Sequence, residues 1–282
     1  MGNPSPEHLK QVNSSGLLYQ MKIAHEIQST ARNHGWEFKC SEYRWIDPST
    51  GEEEFIDLIL KSGAIEIIAE CKRVSGGAWV FPVPNSSDKT GRMRLLWSVK
   101  VDESRGISSW DDVGFHPPTH ESSLCILPGQ NERDKPMLER IASKLVRSVE
   151  VLSQEEYSFP RSPLAIRQLR VYIPIIITNA QLKICHFDPK KVDLSSGLLS
   201  EGEFEDVPFV RFRKTLSTSI KPRMKHLIDI AEFNEKIERT VMIVNGSEIV
   251  KFLTTSENRI FIHDEFSGYP WSDPINGLIR DE

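Results

Sequence analysis

Two apolar runs meet at a turn in Glu54-Phe55-Ile56-Asp57-Leu58-Ile59-Leu60-Lys61-Ser62-Gly63-Ala64-Ile65-Glu66-Ile67-Ile68-Ala69-Glu70-Cys71-Lys72, and that pairing organises the chain around it. Bulky and β-branched residues on either side of Lys61-Ser62-Gly63 read as consecutive strands joined by a tight connection. Side chains alternate along a strand, so Glu66, Ile68, Glu70 and Lys72 fall on one face and Ile65, Ile67, Ala69 and Cys71 on the other. Asp57 interrupts the first run, where an unpaired carboxylate would lose hydration and would need a cation or several donors to compensate. If the strands pair as the short turn implies, Asp57 comes close to Glu70. Two hard oxygen donors then suit Mg²⁺ or Mn²⁺.

Upstream, residues 36–46 alternate bulky and polar side chains before the turn Asp47-Pro48-Ser49-Thr50-Gly51, which makes them a preceding strand. Residues 15–33 suit a helix, with Ser14 or Ser15 to cap its start and His34-Gly35 to end it. Downstream, Gly76-Gly77, Pro82, Pro84 and Pro117-Pro118 break the pattern, leaving 92–101 as the one further strand expected there. A helix follows at 136–152, where Met137, Ile141, Leu145, Val149 and Leu152 recur at helical spacing. Residues 169–178 form a dense β-branched strand and 183–187 a shorter one. Strands are also expected at 207–216 and 240–244, with a short helix at 247–253.

The expected fold class is therefore α/β, with an αβββαβ core, a mixed central sheet, flanking helices and a β-rich insertion. Its core spans 15–74 and 136–188, the insertion 75–135 and a C-terminal extension 189–268, within one domain over 14–268. Residues 1–13 and 269–282 read as terminal tails. The 282 residues are enough for a substantial core, and 39% hydrophobic with 27% charged content is ordinary for a soluble protein. No apolar run suggests a membrane span or a secretory signal, so the expectation is cytoplasmic, with no membrane partner. Cys40, Cys71, Cys125 and Cys185 form no C-x-x-C pair, which argues against a zinc ribbon or a disulfide framework.

The acidic residue on one strand followed by Glu70-Cys71-Lys72 on the next resembles the PD-(D/E)xK nuclease superfamily, whose fold is restriction-endonuclease-like. The resemblance covers roughly residues 15–178, with Ile56 standing where the motif's name has proline. It implies that Asp57, Glu70 and the backbone carbonyl of Cys71 bind Mg²⁺ or Mn²⁺, and that Glu26 on the first helix assists as an additional acid. It also implies that Lys72 helps orient or deprotonate the attacking water and stabilises charge at phosphorus. Asp57, Glu70, Lys72 and Glu26 are thus the expected catalytic residues of an Mg²⁺-dependent phosphodiesterase. The expected substrate is nucleic acid, DNA ahead of RNA, and a second copy or a partner subunit is compatible with the family. The alternative is a catalytically silent, nuclease-like binding or scaffold subunit of a larger nucleic-acid-processing or defence system.

The net charge of −5 excludes a surface that is basic throughout but not a local groove. Arg211, Arg213, Lys214, Lys221, Arg223 and Lys225 form the strongest basic segment and are the expected phosphate contacts. Trp79, Phe81, Arg92, Arg94 and Trp97 in the insertion either stack bases or pack a hairpin on the core. His116-Pro117-Pro118-Thr119-His120, near Cys125, lacks a second ligand pair and reads as a proline-rich loop rather than a zinc site. The chain carries no G-x-G-x-x-G, G-x-x-x-x-G-K-[ST], H-E-x-x-H or G-x-S-x-G pattern.

Overall fold

The computed structural model describes residues 6–100, 106–129, 136–158, 169–216, 220, 229–256 and 261–262. Helices α1 (Pro6–Ser14), α2 (Leu17–Ser29) and α3 (Ala31–His34) lead into β1 (Glu37–Ile46), β2 (Glu53–Ser62) and β3 (Ile65–Lys72). The insertion holds β4 (Ala78–Pro84), β5 (Thr90–Lys100), β6 (Gly106–Thr119) and β7 (Glu121–Ser122). Then follow α4 (Met137–Ser158), β8 (Leu169–Thr178), β9 (Gln181–Phe187), β10 (Glu203–Asp206) and β11 (Phe209–Thr215). The last elements are α5 (Ile230–Ile237), β12 (Glu238–Asn245), α6 (Ile249–Thr255) and β13 (Phe261–Ile262).

The result is a mixed α/β protein whose main sheet runs β1-β2-β3-β8-β12-β11-β7. β1, β2 and β3 are successively antiparallel, whereas β8 lies parallel to β3 and β12 parallel to β8. One edge of β8 serves two neighbours. Its first half, Leu169 to Tyr172, pairs with β5, and its second half, Ile175 to Thr178, pairs with β12. A parallel strand buried on both faces should be apolar throughout, which accounts for the uninterrupted β-branched run of β8.

The two faces of the sheet carry separate cores. On one, Leu58, Leu60, Ile67, Ala69 and Ile175 pack with Ile23 and Ile27 of α2 and Phe252 of α6. On the other, Ile59, Ile68, Tyr172 and Ile176 pack with Leu138, Ala142, Leu145, Val146 and Val149 of α4. That second core also receives Trp79, Phe81 and Val83 of β4 and Leu182 and Ile184 of β9, from a small sheet ordered β10-β9-β4.

Several sequence expectations need correction. Residues 6–14 are helical where a tail is predicted; the C-terminal tail at 269–282 lies outside the described residues. The insertion contains β4 and the 14-residue β6 besides the expected strand at β5. Trp79, Phe81 and Trp97 are core residues at 1%, 0% and 1% exposure, so they offer no stacking surface. Arg94 is buried against Asp112, and Arg92 alone of that group is exposed.

Candidate active site

Pairing between β2 and β3 runs from Ser62 opposite Ile65 to Leu58 opposite Ala69, so the next step brings Asp57 to Glu70. There the side chain enters the hydrogen bonding: Asp57 Oδ2 accepts the Cys71 backbone N–H at 2.6 Å. On the other side of β2, Ser41 lies opposite Leu58 and Tyr43 opposite Ile56, which places Glu42 of β1 level with Asp57. Glu42 has φ of 53°, a left-handed conformation that disfavours a residue with a Cβ. Such strain persists only where the surroundings impose it. Here Gln20 Nε2 of α2 donates to Glu42 Oε1 and also to the Asp57 backbone carbonyl, at 3.2 Å in the latter case.

Glu42, Asp57 and Glu70 therefore form a row across three neighbouring strands. Burial raises the Asp57 carboxyl to about 6, against the Cys71 N–H that favours its charged form, with Glu42 repulsion adding to the rise and Lys144 and Lys72 opposing it. Burial raises Glu70 to about 7, and the neighbouring Asp57 charge contributes next, while Lys144 and Lys72 again pull the other way. Lys144, from α4, donates to Glu54 Oε2 at 2.7 Å. Burial works against its charge, but the Glu54 hydrogen bond and the Glu70, Glu54 and Asp57 carboxylates hold its ammonium above the ordinary value.

The donor chemistry fits a divalent cation. Four carboxylates, Glu42, Glu54, Asp57 and Glu70, face two ammonium groups, Lys72 and Lys144, an excess of two negative charges at full ionisation. Hard oxygen donors of this kind match Mg²⁺ or Mn²⁺ rather than a softer ion.

The structure brings together Asp57, Glu70 and Lys72, as the alternation predicts, with Lys72 lying two residues beyond Glu70 on β3. Glu26 does not join them. Its carboxylate pairs with Lys22 at 2.5 Å on the exposed side of α2, and Lys22 is the chief cause of its lowered proton affinity. Gln20, on the buried side of the same helix, is the residue that reaches the row. Sequence reasoning missed Gln20, Glu42 and Lys144. Each arrives through strand register or helix docking, and none belongs to a local motif.

The basic segment is also placed differently from the expectation. Arg211 is fully buried, donating to Thr119 Oγ1 at 2.6 Å and to the carbonyls of Phe115 and Pro117 at 2.7 and 3.1 Å. Arg213 pairs with Glu238 at 2.8 Å and Asp112 at 3.4 Å, and Lys214 with Glu139. These three hold the fold together, and Arg211 is closed to a phosphate. Lys221, Arg223 and Lys225 lie outside the described residues. In comparisons with known proteins, no family model matches this chain, and neither does any curated protein or solved structure.

Proposed function

We propose that this chain is a metal-dependent nuclease of the PD-(D/E)xK type, with a restriction-endonuclease-like core formed by α2, β1–β3, α4 and β8. The observation that carries the reading is the buried carboxylate pair, Asp57 and Glu70, each held above its ordinary proton affinity partly by burial and lying beside Lys72 and Lys144. A pair so costly to ionise within the protein alone is a ready site for a divalent ion.

Asp57 and Glu70 would hold Mg²⁺ or Mn²⁺, which when bound supplies Lewis-acid stabilisation of charge at phosphorus. Lys72 places an ammonium beside the reacting phosphate, where it orients the attacking water and stabilises the charge that builds as the new P–O bond forms and the bond to the leaving oxygen breaks. Gln20 fixes Glu42 and the Asp57 backbone, and so positions the row. Lys144 balances Glu54 and limits the repulsion among the acids.

The test is cleavage of plasmid, linear DNA and RNA with Mg²⁺, Mn²⁺ or EDTA. Cleavage is expected with metal and not with EDTA, and Asp57→Asn should abolish it while leaving the fold intact by circular dichroism. Cleavage that persists in Asp57→Asn would place the chemistry elsewhere. Absence of cleavage by the wild type with every metal and substrate would overturn the enzymatic reading.

A further inference from the structure

A second cluster lies where the small sheet meets the main one. His186 sits on β9 opposite Glu203 of β10, and Glu205, two residues further on, reaches it as a diagonal neighbour on the same face. His186 Nε2 lies 3.1 Å from Glu205 Oε2. His120, in the link between β6 and β7, brings its Nε2 to 3.5 Å from the same oxygen, and its ring stands edge-on to His186 at 4.9 Å. The backbone carbonyl of His120 accepts from Arg211 N–H of β11 at 3.0 Å, so its position is set by the main sheet.

We propose that His120, His186 and Glu205 form a Zn²⁺-class metal site that ties the small sheet to the main sheet. A tetrahedral zinc ion with ligand bonds of about 2.0–2.1 Å places its ligand atoms about 3.3–3.4 Å from one another. The two edges that meet at Glu205 Oε2, 3.1 and 3.5 Å, bracket that value, and all three residues offer ligand atoms within 4.8 Å of one another. Two imidazoles and one carboxylate are a zinc donor set, whereas Mg²⁺ prefers oxygen alone.

Burial supports the same assignment. The His120 side chain is 9% exposed, which holds its Nε2 in a fixed place facing Glu205 and shields that edge of the cluster from water. His186 lines an open cleft of about 300 Å³, shared with Asn85, Asp188, Lys191 and Glu203, which gives an ion a route in. Lys89 lies 3.7 Å from Glu205 Oε1, the oxygen not shared by the histidines, leaving Oε2 directed at both rings. The histidine motif near residue 116 looked incomplete in sequence because the partners of His120 come from strands 66 and 85 residues further along. His116 and Cys125 take no part in the cluster.

The site is independent of the acidic row and of the nuclease reading, and Co²⁺ separates them. Added to the full chain, Co²⁺ is expected to give the intense visible absorption of four-coordinate nitrogen and oxygen ligation, with one equivalent of Zn²⁺ erasing it. His186→Ala and Glu205→Gln should each weaken Co²⁺ binding by at least about 10-fold, the lower bound for losing even an outer-shell partner. Asp57→Asn should leave the spectrum unchanged. Zn²⁺ should also raise the melting temperature of the wild type but not of His186→Ala, whose partly exposed position makes folding of the variant straightforward to confirm by circular dichroism. A wild type that develops no such band, a band surviving in both variants, or a band lost in Asp57→Asn would each overturn the proposal.

Discussion

At the scale of single residues, Lys72 and Glu26 make opposite predictions although both belong to the expected motif. Lys72→Ala removes an ammonium whose value lies in the transition state, so cleavage should fall by roughly 10²–10³-fold while Mg²⁺ and substrate still bind. Glu26→Ala removes one half of an exposed pair with Lys22, and its cleavage rate should stay within about twofold, as expected for a surface ion pair. Single-turnover cleavage alongside metal titration checks both. Equal rates for wild type and Lys72→Ala would defeat the assignment of Lys72, and a large loss in Glu26→Ala would return that residue to the site. The juxtaposition of Asp57, Glu70 and Lys72 was legible because strand alternation and a short, two-residue connection fix it locally. The placement of Gln20 and Glu42 was not, since a left-handed glutamate leaves no trace in composition and Gln20 reaches across 37 residues to the Asp57 carbonyl.

At the scale of elements, Arg211 shows how a basic residue on a strand can be structural. It joins β11 to the end of β6 through three acceptors, so Arg211→Ala would strand Thr119 Oγ1 and the Phe115 and Pro117 carbonyls in the interior. The expected cost is about 3–5 kcal/mol, typical of removing one partner from a buried charged network. Urea denaturation should show a lower midpoint with an unchanged slope, and the salt dependence of nucleic-acid binding by the folded variant should match that of the wild type. A variant as stable as the wild type, with a shallower salt slope, would restore Arg211 to the substrate groove. Periodicity made α2, β2, β3, α4 and β8 readable, since each places several apolar residues in the buried cores, and β1 was readable from its alternation of bulky and polar side chains. β6 was hidden because Pro117-Pro118 look like loop punctuation, yet the prolines fall in the register break between Gly114 and Thr119, where the ladder with β5 is irregular and no N–H is required of them. α5 did carry a signal, for Asp229 accepts from Glu232 N–H at its start, an acidic cap that the surrounding basic residues obscured.

At the scale of the whole molecule, the acidic row couples folding to pH and to metal. Asp57 and Glu70 have proton affinities raised in the folded chain, from 3.8 to about 6 and from 4.5 to about 7, with burial the main cause. The folded state therefore holds these protons more tightly than the unfolded state. Their stabilising contribution is complete below about pH 4 and is lost as pH rises through 6 to 7, a change of several kcal/mol for the pair. Other carboxylates run the opposite way. Glu205, for example, is held below its ordinary range mainly by His186 and contributes stability that disappears in acid, so the profile of the wild type alone mixes both effects. Asp57→Asn isolates the row, because the amide oxygen can still accept the Cys71 N–H while the charge is gone. In EDTA the variant should match or trail the wild type at pH 5 and exceed it by about 1–3 kcal/mol at pH 8, read from urea midpoints. Adding Mg²⁺ at pH 8 should reverse the order, since the ion binds only the folded, ionised pair and stabilises the wild type by mass action. The same addition at pH 5 should do little, because protons then compete for the carboxylates. If Asp57→Asn and the wild type keep the same stability difference at pH 5 and pH 8 and respond equally to Mg²⁺, the row is not the strained, ion-seeking pair its burial implies.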